Sequence, residues 1–432
     1  TFPQIVFSET GDGSVDIQLP EVTTFVIDGQ DEDDDFTATV EFAQSGLNMN
    51  VSGTPEKLVY AYTADMMSMK LANLLVDDTP VDSDVARVAM TLSGISGETQ
   101  ASTEGLRAYA QTLNANNLTL DLFVTDPEEA DATAKIETSL DDLVFSGSGN
   151  VPAIAVANGD INAMLDAGFT FASSMTFGAG ASDIAFNDGE EAGTINSTSE
   201  GGAFTVSMSE KGLAYDLSQR NQSMNMLISD VPFPISAEMA ESGASLMMPV
   251  KKSDDPQDFG FGLTLRDFKM SDSIWAMVDP GQQFPRDPAT IVLDLAGQAK
   301  VLFDFLDPAT AEVMETTGAI PGELLSLTLK QLLVQAVGAK LSGEGDFTFD
   351  NSDMSSFDGF PRPNGAVTFQ LDGANALLDK LIAMGIVSNE DAQGARFMMG
   401  LFARPGEGPD SLVSTVEVND EGHVLANGQR IR

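Results

Sequence analysis

His423 is the only histidine in the chain, and there is no cysteine. Any Ser–His or histidine–metal mechanism therefore depends on this one imidazole, while thiolate nucleophiles, disulfides and cysteine-based zinc or iron–sulfur sites are excluded. His423 follows Gly422 in a predicted C-terminal hairpin, where a turn or edge residue is the plain interpretation. No G-x-S-x-G nucleophile elbow occurs, because Ser146-Gly147-Ser148-Gly149 has its serines and glycines in the wrong order.

Nucleotide-binding loops are also lacking. Gly178-Ala179-Gly180-Ala181-Ser182-Asp183 begins like a dinucleotide fingerprint, but it has no third glycine and precedes a strand-like stretch where the fingerprint requires a helix. No G-x-x-x-x-G-K-[ST] segment is present. The net charge of −45 would repel phosphate backbones and anionic lipid headgroups. The sequence therefore gives no support to nucleotide binding and argues against nucleic-acid binding.

Acidic residues outnumber basic residues by 66 to 21, so carboxylate clusters are expected whether or not they bind anything. Asp31-Glu32-Asp33-Asp34-Asp35 supplies the first alternating ligands of a calcium loop. However, Phe36 stands where that loop needs glycine, and Phe42 stands where it needs a bidentate glutamate. Solubility in salty surroundings is the plain interpretation of the charge, with calcium binding as the alternative.

The chain has 20 methionines and 26 phenylalanines but only four tyrosines and one tryptophan. Methionine pairs and triplets could offer thioethers to Cu(I) or an adaptable surface to a flexible apolar ligand, although core filling is the plain interpretation. They are Met66-Met67-x-Met69, Met247-Met248 and Met398-Met399. Because each of these motifs has an ordinary structural explanation, we assign no catalytic, cofactor-binding or metal-binding residue from the sequence.

The elements that would position a site are mostly strands. Apolar and polar residues alternate with period two between turn clusters, which is typical of strands with one buried face. The predicted strands include Ser14–Leu19, Phe36–Phe42, Leu47–Val51, Val88–Leu92, Leu118–Val124, Phe204–Met208, Gly262–Phe268 and Ile291–Leu295. Residues 325–349 are predicted as long strands with a bulge, because Leu325, Leu327 and Leu329 alternate. Short turns between such strands favour an antiparallel, mainly β fold.

Few helices are predicted. They cover residues 160–167, 374–384 and 389–403, together with a single turn at residues 273–278 that carries Trp275, the only tryptophan. The chain is predicted to close with a hairpin of residues 412–418 and 423–431. No run of about 18 apolar residues occurs, so no transmembrane segment is predicted.

Short motifs of the first half of the chain recur in the second half in the same order. The matching pairs include Val51-Ser52 with Val206-Ser207, Leu118–Leu122 with Ile291–Leu295, Phe145–Gly149 with Leu341–Gly345, and Asn162–Asp166 with Asn375–Asp379. Ordered echoes of this kind indicate tandem duplication. We therefore predict two duplicated units of curved antiparallel sheet with a few short helices, covering residues 1–188 and 189–432, with insertions in the second.

Three segments resemble an uncharacterised family of alphaproteobacterial envelope proteins, known mainly as a domain of unknown function. They are Trp275–Pro280 continuing through Pro285–Thr290, Val416–Asn419 with Leu425–Arg430, and the opening Thr10–Val15. The resemblance covers most of the chain and implies a secreted, periplasmic protein without established catalytic residues. The chain starts at Thr1 without an initiator methionine, so we expect a processed form whose signal peptide has been removed. In its β-rich build alone, the chain is also similar to envelope proteins that carry lipids in a long β-groove.

Three functions follow from these observations, each with its own structural requirement. The leading hypothesis is a non-enzymatic periplasmic protein that binds or carries an apolar or lipid ligand, which requires an apolar concave face open to solvent. The alternative is a structural or protein-interaction module of the envelope without a small-molecule ligand, with packed sheets and free sheet edges. A hydrolase would instead need paired carboxylates in a cleft with raised pKa values.

Overall fold

The computed structural model of the chain describes residues 4–31, 34–103, 106–126, 132–153, 161–317 and 320–432. Strands account for 63% and helices for 11% of the chain, so the predicted mainly β class is confirmed. By their contacts, the residues group into two compact units. The first is drawn from Thr1–Ala155, Ala167–Thr205 and Gln219–Ala237, and the second from Val156–Asp166, Val206–Ser218 and Glu238–Arg432. The tandem duplication of residues 1–188 and 189–432 stays a prediction.

The strands of the described residues are β1 Val6–Glu9, β2 Val15–Gln18, β3 Val22–Asp31, β4 Asp34–Ser45, β5 Asn48–Thr54, β6 Lys57–Val76, β7 Thr79–Val81, β8 Ala86–Ser102, β9 Arg107–Thr125, β10 Thr133–Val151, β11 Thr170–Phe177, β12 Gly180–Asn187, β13 Ala192–Ser199, β14 Gly202–Ser209, β15 Gly212–Ile228, β16 Ile235–Met248, β17 Gln257–Met270, β18 Ala289–Val301, β19 Gly322–Ala336, β20 Ala339–Asp350, β21 Arg362–Asp372, β22 Arg404–Pro405, β23 Ser411–Val418, β24 Val424–Ala426 and β25 Gln429–Arg430. Every predicted strand overlaps one of them. The segment predicted as one closing strand, residues 423–431, differs: it forms β24 and β25, joined by a turn in which Asn427 has a φ of 48°.

The helices of the described residues are α1 Ile161–Asp166, α2 Asp272–Val278, α3 Pro308–Thr317, α4 Ala374–Ala383 and α5 Asn389–Phe402. Four of them match predicted helices, whereas α3 was not predicted. Asp160, the first residue of the helix predicted over residues 160–167, lies outside the described residues. Within the described ranges, no helix combines the length and the apolar character that crossing a membrane would require.

In the first unit, the long strands β6, β8, β9 and β10 bend at one level. Strand pairing is interrupted at Asp65 and Gly94 between β6 and β8, and at Asn116 and Asp142 between β9 and β10. Gly94 and Asp142 have φ values of 60° and 52°, which turn the backbone away from the regular strand direction. Buried residues lie on or beside this level and form the core of the unit: Ala64, Ile95, Ala115, Leu143 and Phe177.

Glycine faces an aromatic ring repeatedly in both units. In each case the two residues are direct partners in the register of neighbouring strands, and the ring lies where the side chain of the glycine would be. The pairs are Gly29–Phe36, Gly97–Tyr62, Gly149–Tyr109 and Gly193–Phe186 in the first unit, and Gly297–Phe259 and Gly343–Phe369 in the second. A ring that covers a cross-strand glycine restores the side-chain packing that glycine lacks.

The Gly97–Tyr62 pair gives the first testable prediction. A Cβ atom at Gly97 would lie 2.5 Å from Tyr62 Cζ and 2.7 Å from the Thr112 carbonyl oxygen, so Gly97→Ala forces the ring and the strand apart. We expect a loss of about 2 kcal/mol in the free energy of unfolding, measured by urea denaturation. The control is Gly394→Ala in α5, where no atom lies within 4 Å of the new methyl group. That substitution should stabilise the helix by about 1 kcal/mol. If Gly97→Ala and Gly394→Ala changed the free energy of unfolding by the same amount, the packing role of the Tyr62 ring would be contradicted.

The second unit contains a six-stranded antiparallel sheet in the order β17–β18–β19–β20–β21–β23. A bulge in β19 places Lys330 and Gln331 opposite the single residue Glu344 of β20, because Leu329 pairs with Gly345 and Leu332 pairs with Gly343. The helix α4 follows β21 and contacts both β20 and α5. This sheet carries the features that bear most directly on function.

Candidate ligand-binding face

One face of the six-stranded sheet is apolar across its strands. Since side chains alternate between faces along a strand, the register decides which residues share a face. Three rows of register partners form what we call the apolar face: Leu263, Leu293, Leu332 and Phe369; Phe261, Leu295, Leu329 and Val367; and Phe259, Leu327 and Phe347. The alternate residues of the same strands are largely polar, among them Asp294, Gln331, Glu344 and Thr368.

The apolar face is not closed over. None of the residues in its three rows is buried, and on β17 the side chains of Phe261 and Leu263 are 41% and 42% exposed. Ile291 of β18, which pairs with Leu265 on the same side, is 41% exposed. A packed β-sandwich would instead bury such residues between two sheets. The sheet therefore offers an extended apolar surface that water partly reaches.

Incomplete burial of apolar residues is general in the described part of the chain. Among the residues described, Leu165 and Val250 are the large apolar side chains with less than 2% exposure, and most apolar strand residues are half-buried or exposed. Such strands present the kind of apolar surface that the ligand-binding hypothesis requires.

Beside this sheet, the segment from Trp275 to Arg286 is held together by the contacts of Asp279, which we call the Asp279 cluster. The carboxylate of Asp279, which is fully buried, accepts hydrogen bonds from the backbone N–H groups of Gln283 at 2.9 Å and Phe284 at 2.8 Å. Arg286 Nη2 lies 3.8 Å from Asp279 Oδ2, and the guanidinium stacks 4.3 Å from the ring centroid of Trp275. Burial alone would raise the pKa of Asp279, but the two hydrogen bonds and the charge of Arg286 hold it below its ordinary value.

Asp279 binds two backbone N–H groups of the loop that follows it, so its carboxylate orders this loop. Pro285, in the same loop, lies close to Gly338 in the turn between β19 and β20. A Cβ atom added at Gly338 would lie 3.1 Å from Pro285 Cγ. Gly338 has a φ of 86°, which favours glycine in this turn. The Asp279 cluster thus fixes the loop that leads from α2 into β18, and Pro285 of this loop packs against the end of the β19–β20 hairpin.

His423 lies in the turn between β23 and β24. Its backbone N–H donates to Asn419 Oδ1 at 2.9 Å, and its carbonyl oxygen accepts from the Asn419 N–H at 3.1 Å. These bonds shape the turn and use only backbone atoms of His423, without its imidazole. Gly178-Ala179 leads into β12, so the expected strand after this glycine-rich segment is confirmed.

The carboxylate and methionine motifs lie on separate elements. Asp31 and Asp34 pair at the end of the β3–β4 hairpin, while Glu32 and Asp33 lie outside the described residues. Across the described ranges, no three acidic or histidine side chains converge as a metal site. The methionine motifs lie in β6, in β16 and in α5.

Carboxylates with a clearly shifted pKa are found in both units. Within the described part of the chain every such shift is downward, for example to about 2 for Asp12, through hydrogen bonds from Thr10 and Ser14, and to about 2 for Asp350, through Ser352 and Arg362. The general acid of a glycosidase needs the opposite shift, because it must stay protonated near neutral pH. These carboxylates therefore give no support to a hydrolase.

A family model described as an uncharacterised protein conserved in bacteria (DUF2125) matches residues 89–428. The match spans well over half of the 432 residues and includes the tryptophan segment and the whole apolar face. No curated protein and no solved structure matches the chain. The expected resemblance to an uncharacterised bacterial family is confirmed.

Proposed function

The chain belongs to the DUF2125 family of uncharacterised bacterial proteins, and we propose that it is a non-enzymatic protein of the periplasm that binds or carries an apolar or lipid ligand. The ligand lies on the apolar face of the second unit. The observation that carries this proposal is the row of Phe261, Leu295 and Leu329, flanked by Leu263 and Leu293, in which Phe261 and Leu263 are exposed and the other three side chains are half-buried. Strand residues of this size are ordinarily covered by a second layer.

The expected affinity is sufficient for a carrier. Each methylene group that leaves water contributes about 0.8 kcal/mol, so an acyl chain that buries about 16 methylenes contributes about 13 kcal/mol. The loss of translational and rotational freedom on binding costs about 5 kcal/mol of this, and the remaining ~8 kcal/mol corresponds to a dissociation constant of about 1 μM. Binding of this strength holds a ligand in solution and still permits its release.

The test is native mass spectrometry of the protein purified from its own envelope fraction, followed by solvent extraction of bound material. We expect a stoichiometric apolar mass on the protein, which extraction removes and identifies. A bare protein mass that stays bare after incubation with envelope lipids would contradict the proposal.

A second candidate function, a protein-interaction module of the envelope, is favoured by one feature of the first unit. The edge strand β3 pairs with β4 alone among the described strands, which leaves its other edge open. Three successive residues of β3 are more than half exposed: Phe25 at 56%, Val26 at 62% and Ile27 at 52%. A long apolar strand with an open edge is a surface onto which a partner strand can add.

Hydrogen exchange of the isolated protein tests whether this edge is open. The N–H groups of β3 that point toward β4 should exchange slowly, and the alternate N–H groups between Val22 and Ile27 should exchange rapidly. A partner strand would slow the second set without changing the first. Uniform protection in the isolated protein would contradict the open edge.

A further inference from the structure

A cavity of about 560 Å³ lies on the polar side of the same sheet, opposite the apolar face. Its volume falls within the range of small-molecule sites. The bulge in β19 builds one wall, because it directs both Lys330 and Gln331 toward the position of Glu344. Leu333 and Ser342, which pair in the register, line the centre of the cavity.

The charges around this cavity are arranged along β20 and β21. Lys340, Ser342 and Glu344 are alternate residues of β20, so they point to the same side, and they pair with Asp372, Gln370 and Thr368 of β21 respectively. Lys340 and Glu344 both line the cavity and are exposed. Lys340 thus lies toward one end, and Glu344 lies toward the other together with the Lys330–Asp294 pair, with a hydroxyl and an amide between the two ends.

The two end charges are available for a ligand. Within the described ranges, the side chain of Glu344 has no ion pair or hydrogen bond, although Lys330, across the bulge, pairs with Asp294 at 3.7 Å. Lys340 has no ion pair within 4.0 Å in the same ranges. Its charge helps to lower the pKa of its register partner Asp372, whose carboxylate also accepts hydrogen bonds from Gln370 Nε2 at 3.0 Å from each oxygen. An occupant can therefore pair with both charges without displacing an existing ion pair.

The net charge of the protein narrows the chemical class of that occupant. At −45 the protein repels a net anion, although Lys340 and Lys330 would bind one locally. A free cation would be attracted to many carboxylates and would not need this cavity. A zwitterion has no net charge, so it avoids the long-range repulsion and can satisfy both ends of the cavity.

The spacing between Lys340 and Glu344 sets the length of the ligand that can reach both. Lys340 and Glu344 are four residues apart on one strand, which corresponds to about 13 Å between their Cα atoms. Side chains that lean toward the ligand shorten the span it must cover to roughly 7–13 Å, and an extended peptide covers at most about 3.6 Å per residue. We propose that this cavity binds a zwitterionic peptide of roughly two to four residues, with its carboxylate at Lys340 and its ammonium group at Glu344.

Isothermal titration of the full chain with trialanine tests this proposal. We expect saturable binding with a dissociation constant of about 1 mM or tighter. N-acetyl-trialanine lacks the ammonium group and trialanine amide lacks the carboxylate, so each should bind about 10-fold more weakly, the equivalent of 1.4 kcal/mol. Glu344→Gln should weaken trialanine to the same extent but leave N-acetyl-trialanine unchanged, and Lys340→Gln should do the same with trialanine amide.

Lys211→Gln serves as the matched control, since this exposed lysine lies in the turn between β14 and β15 and lines no part of the cavity. It should bind trialanine like the unaltered protein, and circular dichroism should show that all variants are folded. The absence of saturable trialanine binding would overturn the proposal, as would equal binding of the free and the blocked peptides. Because the site lies on the other side of the sheet from the apolar face, failure here leaves the lipid-binding proposal intact.

Discussion

Replacement of Phe261 and Leu263 by glutamate is expected to abolish binding of an apolar ligand while the sheet stays folded. Both side chains are more than 40% exposed, so the new carboxylates can reach water and the strand tolerates them. A bound acyl chain would have to desolvate these carboxylates, which costs several kcal/mol. We therefore expect at least a 100-fold loss of affinity, measured by native mass spectrometry after incubation with a defined lipid.

The control for this double variant introduces a glutamate carboxylate on the opposite side of the sheet. Thr348 of β20 is exposed and alternates with Phe347, so Thr348→Glu places a carboxylate on the polar side. It should bind the lipid like the unaltered protein. If both proteins lose the ligand, the effect comes from added charge in general; if neither loses it, the ligand does not lie on the apolar face.

Replacement of Asp279 by asparagine is expected to produce the largest loss of stability from a single conservative change. The amide oxygen can replace only one acceptor, so one N–H group of Gln283 or Phe284 loses its partner and Arg286 loses its counter-charge. We expect the melting temperature to fall by roughly 5 °C or more. Asp287→Asn changes the net charge equally at an exposed neighbouring position and should have little effect.

The pH dependence of this difference identifies its cause. The pKa of Asp279 is lower in the folded protein than in the unfolded chain, so its stabilising contribution is complete above the unfolded pKa of about 4. The contribution is lost as the pH falls through the folded pKa. The gap between the unaltered protein and Asp279→Asn should therefore be constant above pH ~5 and shrink below pH ~4. A gap that persists at lower pH would contradict a role for the ionised carboxylate.

Alternation between apolar and polar residues was sufficient to predict the strands named from the sequence, and each of these overlaps an observed strand, whereas strands such as β10 and β21 were not predicted. The helix α3 was missed, although Asp307-Pro308 is a usable start signal: Asp307 Oδ1 accepts the N–H of Ala309 at 3.0 Å, and proline suits the first turn. The β-branched residues Thr310, Val313 and Thr316 conceal the helix, since they favour strands. The β-branched residues therefore favour a strand at this point, whereas the capping residues favour a helix.

The candidate sites depend on register, which no local pattern contains. Phe261 and Leu329 lie far apart in sequence and share a row only through the pairing of β17, β18 and β19. The cavity likewise depends on the bulge that brings Lys330 to Glu344. The Trp275 segment was recognised by its residues, but the burial of Asp279 and its bonds to the loop could not be derived from them.

The extra residue in β19 changes which residues face the apolar side. Before it, the odd-numbered Leu327 and Leu329 contribute to the apolar face; after it, the even-numbered Leu332 does so. Deletion of one residue at positions 330–331 would remove the bulge, so that Leu329 and Leu332 alternate regularly and the apolar side stays continuous. Deletion of one residue elsewhere in β19 would instead exchange the apolar and polar sides of the part beyond it. Natural variation in length by a single residue should therefore be confined to the bulge, where it would remove a wall of the cavity and leave the apolar face intact.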